Sequence, residues 1–290
     1  MTSKKTGWRN DYHARTSFFE IIGKDVKYYV KDLSKRLSNG GRLPIIVTYP
    51  DFPSKRTTIF KIADALNFRL TNKLIKNADL IIYFQDITRG DPSILHSIKD
   101  KKVLNIGCTD ISKNKVDEVH LQVFGYNTFI DPTKHQGTAV RKSDINALHD
   151  GEIIQCPIAE ADSASVYQIL LDNVFDEKYV VDYRVPVIGN QIPLVYKKFK
   201  EHHVRFTNEV HHASMHNTEE VFSADEQALI LRFAQAMNVE FCEFDILRHA
   251  DGRLYIIDVN KTPYGPPAGL PETKEAVSRL TQAFQSAFLK

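Results

Sequence analysis

Residues 241–260, "FCEFDILRHADGRLYIIDVN", hold two apolar runs around a turn, and each run carries acidic groups in its middle. The pair Asp251-Gly252 tolerates positive φ at both central positions, so the expectation is a two-residue hairpin loop with Ala250 facing Arg253. Side chains alternate along a strand. That register therefore opposes Leu247 to Ile256, Asp245 to Asp258 and Glu243 to Asn260, with all six side chains on one sheet face. A three-residue loop would instead set Asp245 against Ile257 and scatter the polar groups over both faces. Carboxylates opposed at Cβ separations of roughly 5 Å repel one another. Two resolutions are open: a divalent cation held by Asp245, Asp258 and Asn260, an oxygen-only set that suits Mg²⁺, or an ordinary acidic hairpin face neutralised by nearby Lys or Arg.

Upstream of the hairpin, "SADEQALILRFAQAM" reads as a helix, with Ser223 and Glu226 as a capping box and Ile230, Phe233, Ala234 and Met237 as its buried stripe. Before it, "VVDYRVPVIGNQIPLVYKKF" closes on Gly189-Asn190 as a second two-residue hairpin, which sets Tyr183 across from Tyr196 and Asp182 across from Lys197. Further back, "LPIIVTY", "ADLIIYFQ" and "KVLNIG" are short apolar runs suited to buried strands. "SKRTTIFKIADALN" has Ile59, Ile62, Ala63 and Leu66 at helical spacing. This alternation predicts a small parallel sheet over residues 42–110. The segment "PSKRTT" lacks the glycines of a phosphate loop and reads as a helix start. A further helix is expected in "KDVKYYVKDLSKRL", ending at Asn39-Gly40-Gly41.

The chain has 290 residues, 42% apolar and 26% charged, which is ordinary for a globular protein of two or three packed lobes. A formal net charge of +2 gives no electrostatic footprint for nucleic acid. No apolar run approaches the roughly 20 residues that span a bilayer, and "MTSKKTGWRNDYHARTS" lacks the apolar core of a signal peptide. The expectation is a cytoplasmic protein without membrane or nucleic-acid partners. Cys108, Cys156 and Cys242 are far apart and odd in number, so they read as reduced, buried thiols. The histidines of "EHHVRFTNEVHHASMH" fit no zinc spacing and read as a polar loop.

Taken in order, these features resemble the ATP-grasp superfamily, as in glutathione synthetase and the ribosomal-protein glutamate ligases. "FCEFDILRHADGRLYIIDVNKTP" is similar to that family's closing metal signature, which implies Asp245, Asp258 and Asn260 as metal ligands. "DYRVPVIGNQIPLVYKK" resembles its Asp-x-Arg strand pair, implying Arg184 and Lys198, with Lys197 as the neighbouring option. "RFTN" resembles the segment where the reacting carboxylate meets the γ-phosphate, implying a catalytic Arg205, beside Arg184, and a cofactor-binding Asn208. "VYQILLD" is similar to the adenine hinge, implying Tyr167, Gln168, Ile169 and Leu170, with Asp172 on the ribose. Lys115 and Lys142 occupy the places of the two phosphate lysines. The family's glycine-rich lid is represented by Gly151 alone.

The resemblance implies a mixed α/β and α+β architecture: an extension over 1–41, a Rossmann-like domain over 42–112, and an ATP-grasp domain over 113–290, whose lid part is 113–172 and C-terminal part 173–290. It implies ATP with Mg²⁺ as two ions, Mn²⁺ being an acceptable substitute. The activity it implies is a ligase that activates the carboxylate of a small molecule or peptide as an acyl phosphate for attack by an amine or similar nucleophile. A phosphotransferase on the same scaffold, or a nucleotide-binding protein without turnover, are the alternatives. A homodimer is compatible with it.

Overall fold

The structure is a computed structural model that describes residues 30, 32–146, 148 and 150–289. The first part of the helix expected around residues 24–37 lies outside the described residues. Residues 32–38 are helical, and the helix ends where expected: Gly40 and Gly41 take positive φ, and the Gly41 N–H reaches back to the Arg36 carbonyl at 2.8 Å.

Strands β1 (Ile45–Pro50), β2 (Arg69–Thr71), β3 (Leu80–Phe84) and β4 (Val103–Leu104) form a parallel sheet in the order β2-β1-β3-β4. Every residue of β3 is buried, as an apolar run covered on both faces should be. Helix α1 (Thr58–Ala65) starts after Thr57 and buries Ile59, Ile62 and Ala63, so "PSKRTT" is a helix start. The segment before β4 is a 3₁₀ turn, Ser93–Ser97. Helix α2 (Lys113–Phe124) follows, capped by the Ser112 hydroxyl, which accepts from the Lys115 N–H. Three antiparallel strands, β5 (Gly137–Ser143), β6 (Glu152–Cys156) and β7 (Ser165–Ile169), are ordered β6-β5-β7.

The largest sheet is antiparallel, in the order β10-β9-β8-β11-β12, from β8 (Tyr179–Ile188), β9 (Val195–Glu201), β10 (His212–His216), β11 (Phe241–Arg248) and β12 (Leu254–Asn260). One face is apolar: Val185, Val187, Val195, Cys242, Phe244 and Ile246 pack against Val116 and Val119 of α2 and against Ile230, Phe233 and Ala234 of α3 (Ala224–Ala236). Both halves of the Ser223/Glu226 capping box are made, and Met237 is buried at the end of the helix. The C-terminal helix α4 (Thr273–Phe288) lays Leu280 and Phe284 into a second core that also holds Ile46, Ile62, Tyr196 and Phe241, tying the parallel sheet to the large one.

Both hairpin registers differ from the two-residue expectation. In β11–β12 the His249 N–H bonds to the Arg253 carbonyl, leaving a three-residue loop with Gly252 at positive φ, so Leu247 faces Tyr255. A β-bulge then takes up one residue of β12, Ile257, and returns the pairing to Asp245 opposite Asp258 and Glu243 opposite Asn260. The turn expectation is corrected and the polar register stands. In β8–β9 the Gly189-Asn190 turn forms, with Ile188 bridged to Gln191. Beyond it the β9 side carries one residue more, around Pro193, which has no N–H to offer a ladder. Asp182 therefore faces Lys198, and Tyr183 faces Lys197.

All three cysteines are free and buried. No described helix is long and apolar enough to cross a membrane. Phe233 is fully buried and meets Phe244 edge to face at 5.3 Å. Phe233→Ala is expected to cost about 3–5 kcal/mol, read from the shift of a urea unfolding curve.

Candidate active site

The second face of the large sheet is polar, and it lines a cleft of 420 Å³ together with β5, β7 and the segments after β9 and β12. One part of the lining is apolar, from Val140, Ile169, Leu170, Leu247 and Ile257. Another is densely charged, from Lys113, Lys142, Arg184, Lys198, Asp245, Asp258 and Asn260. An apolar slot beside a group of cations is the chemistry of a purine carrying a polyphosphate.

Alternation explains how the charges converge. Asp245 lies opposite Arg184 on one side and Asp258 on the other, and Asp182 lies opposite Lys198. Arg184 grips Asp245 through Nε–Oδ1 at 3.1 Å and Nη2–Oδ2 at 3.0 Å, and Lys198 Nζ donates to Asp245 Oδ1 at 2.8 Å. Burial alone would push the Asp245 carboxyl up, but these two cations outweigh it and hold it well below the usual carboxylate range. Asp258 has its own cation, with Lys113 Nζ 3.5 Å from Oδ1. Lys200 pairs with Asp182 at 2.9 Å. Lys142 has no such partner among the described residues: burial, then the neighbouring Lys113 charge, lower its ammonium pKa to about 7.

The structure brings Lys142, Gln168, Ile169, Leu170, Arg184, Lys198, Arg205, Asn208, Asp245, Asp258 and Asn260 to the cleft. Four expected residues lie elsewhere. Lys115 is on the exposed side of α2 beside Glu118, two residues and therefore about 200° around the helix from Lys113, which takes the place expected for it. Tyr167 alternates away from Gln168, and its hydroxyl accepts from the Asp162 N–H. Asp172 is exposed, its N–H bonded to His249 Nδ1. Lys197 points to the opposite face from Lys198. Arg205 is committed to the segment after β7, with Nη2 donating to the Leu171 carbonyl at 2.8 Å and to Asn173 Oδ1 at 2.7 Å. Lys113, Lys200, Asn173 and Asp86 line the cleft without having been singled out from sequence. Lys113 is the first residue after the Ser112 cap, and it is the packing of α2 against β12 that turns it toward Asp258.

The short segment after β5 is fastened to the loop after β3. Arg89 is ion-paired with Asp144, and the Asn146 N–H donates to Thr88 Oγ1 at 2.9 Å. These contacts hold the segment in which the resemblance implied a glycine-rich lid.

The donors fit Mg²⁺ in kind, two carboxylates and the amide oxygen of Asn260. Among the described residues, however, no group of three or more His, Cys, Asp or Glu side chains could hold a metal by itself. Both carboxylates are already matched by protein cations, so the second of the two sequence readings describes the apo hairpin. The set fits an ion that arrives with an anion able to draw those cations away.

Residues 151–266 match the model of the RimK-like ATP-grasp domain. No curated protein sequence matches the chain. Among solved structures, the ATP-grasp ligase PsnB complexed with minimal precursor is 13% identical with a TM-score of 0.55, covering 84% of this chain and 98% of its own. A RimK domain protein from Sphaerobacter thermophilus is 9% identical with a TM-score of 0.51, covering 86% and 100%. D-alanine–D-alanine ligase from Bacillus anthracis is 13% identical with a TM-score of 0.51, covering 86% and 97%. At these identities the likeness is one of fold.

Lys113→Ala is expected to weaken binding of an ATP analogue at least ten-fold and Lys115→Ala to leave it within two-fold, by calorimetric titration. For Lys142 the sign follows from linkage. Its folded pKa of about 7 lies below the ordinary 10.5, so between those values the unfolded chain binds more protons and the stability of the free protein rises with pH. Lys142→Met should flatten that rise in unfolding measurements from pH 7 to 10. Binding a polyphosphate at pH 8 should take up a proton, seen as a heat that varies with the ionisation enthalpy of the buffer.

Proposed function

With the chain carrying the ATP-grasp fold, we propose that it is an ATP- and Mg²⁺-dependent ligase that joins a carboxylate to an amine or similar nucleophile. The single observation that carries this reading is the meeting, in one cleft, of Lys113, Lys142, Arg184 and Lys198 with Asp245, Asp258 and Asn260, beside the apolar slot of Ile169, Leu170, Leu247 and Ile257. The purine would lie in that slot, and the four cations would take the triphosphate. Asp245, Asp258 and Asn260 would hold Mg²⁺, whose chemistry there is neutralisation of phosphate oxygens. PsnB, a fold relative, has been seen with Mg and ADP, and this supports the same pairing here.

In the reaction, a carboxylate oxygen of the substrate attacks the γ-phosphorus and the bond to ADP breaks, its electron pair leaving with ADP. Arg184, Lys198 and Lys142 stabilise the charge that moves between these oxygens. The nucleophile's nitrogen then attacks the acyl carbon, phosphate departs with the C–O pair, and the nitrogen's proton goes to solvent. Arg205 shapes the hinge through Leu171 and Asn173. That leaves Arg184 as the catalytic arginine.

The test is titration with a non-hydrolysable ATP analogue with and without Mg²⁺, followed by a screen for ADP release. Saturable binding that needs Mg²⁺ is expected. Mg²⁺ alone should bind without saturation, because its ligands are matched by cations until the nucleotide arrives. Asp258→Asn should weaken Mg²⁺-dependent binding at least ten-fold in a folded protein, and ADP release should require both a carboxylate and an amine. Absence of nucleotide binding under either condition would overturn the reading.

A further inference from the structure

The cleft carboxylates on the large sheet each have a protein cation: Asp245 has Arg184 and Lys198, Asp258 has Lys113, and Asp182 has Lys200. Asp86 does not. It is the one residue of the parallel-sheet region, 45–104, in the cleft lining among the described residues, it lies just past the C-terminal end of β3, and it is exposed. Among the described residues no Lys or Arg comes within ion-pair distance of it. Its backbone N–H is bonded to Asp51 Oδ2 at 3.2 Å, which brings a second carboxylate alongside.

Opposite stands the segment that follows β12. Thr262 Oγ1 donates to Asp86 Oδ1 at 3.4 Å, and Tyr264, 47% exposed, lines the same cleft. A positive group that feels Asp86 and Asp51, after Cys108 and Asp110, is the Lys261 ammonium. It is buried, set over the Tyr83 ring at 4.9 Å, and has no hydrogen-bond partner. Asp86 and Asp51 are thus two carboxylates whose nearby ammonium, Lys261, is buried and makes no hydrogen bond to either. An anionic group arriving there would be repelled, and a neutral one would leave Asp86 uncompensated. An exposed carboxylate in a cleft that also presents an exposed aromatic ring is instead the chemistry that recognises an ammonium.

We propose that Asp86, assisted by Tyr264, recognises the protonated amine of the acceptor substrate, so that the second substrate enters as a cation. This rests on the ligase reading and names the class of its nucleophile. Asn260 and Asp258 share the cleft with Asp86, and Thr262, bonded to Asp86, is two residues beyond Asn260, so an amine held at Asp86 would lie in the same cleft as the phosphoryl end of the ligase reading. The ammonium must lose one proton before its lone pair can attack. That proton leaves to water, to which this part of the cleft is open.

The experiment uses the full chain loaded with Mg²⁺ and the ATP analogue, titrated with L-alaninamide, a cation at pH 7, and with L-lactamide, its neutral counterpart, followed by ligand-observed NMR. The wild type is expected to bind alaninamide at least ten-fold more tightly than lactamide. Asp86→Asn should lose that preference while still binding the ATP analogue, which reports an intact fold, and Asp86→Glu should restore part of it. A wild type that holds the ATP analogue but shows no preference, or an Asp86→Asn protein that keeps it, overturns this inference and leaves the ligase reading standing. A wild type that does not hold the ATP analogue overturns the ligase reading and this inference with it.

Discussion

The Asp245 carboxylate, clamped between Arg184 and Lys198 on the polar face of the large sheet, is the interaction on which the rest depends. Taking one such ion out of water costs several kcal/mol, and the geometry repays it only when every partner is in place. Removing Asp245 alone would leave Arg184 and Lys198 without the carboxylate they share, at about 3–5 kcal/mol. The registers of three strands are thus fixed relative to one another by charge as well as by the apolar packing on the opposite face. The cations are also positioned in advance for an anionic ligand, which would compete with Asp245 for the same N–H groups.

Glu243 extends the constraint into the loop after β12. It is 1% exposed, and Oε1 accepts the Gly265 N–H at 3.0 Å. A Cβ on residue 265 would fall 2.1 Å from that oxygen, so glycine is required by the close approach of the loop to the sheet. Burial raises the Glu243 carboxyl and the Arg184 charge opposes it. The Pro- and Gly-rich segment over the polar face is held by this acid, and it presents Thr262 and Tyr264 to the cleft.

Strand and helix identity was legible because burial follows period. The buried stripe of α3, the apolar run of β3 and the capping box at Ser223 are all readable without coordinates. Register was less so. Gly189-Asn190 does close a turn, but one residue more on the Pro193 side decides whether Lys197 or Lys198 faces Asp182, and a turn motif carries no information about that. The Lys113/Lys115 choice was missed for a related reason. Both are basic residues at a helix start, and only the packing of α2 on β12 determines which one turns toward Asp258. The ion pair of Arg89 with Asp144 joins residues far apart in sequence, and no local pattern announces it.

The closing hairpin contains two irregularities of opposite sign: a loop one residue longer than the turn pair suggests, and a bulge in β12 that absorbs the difference before Asp258. Because a one-residue slip turns every side chain to the other face, the longer loop without the bulge would set Asp245 opposite Ile257 and turn Asp258 and Asn260 to the apolar face. In this sequence the two irregularities therefore imply one another. Removing one loop residue, or the bulge residue Ile257, would each leave Asp245 opposite Asp258, so this hairpin tolerates shortening at either place without losing its polar face.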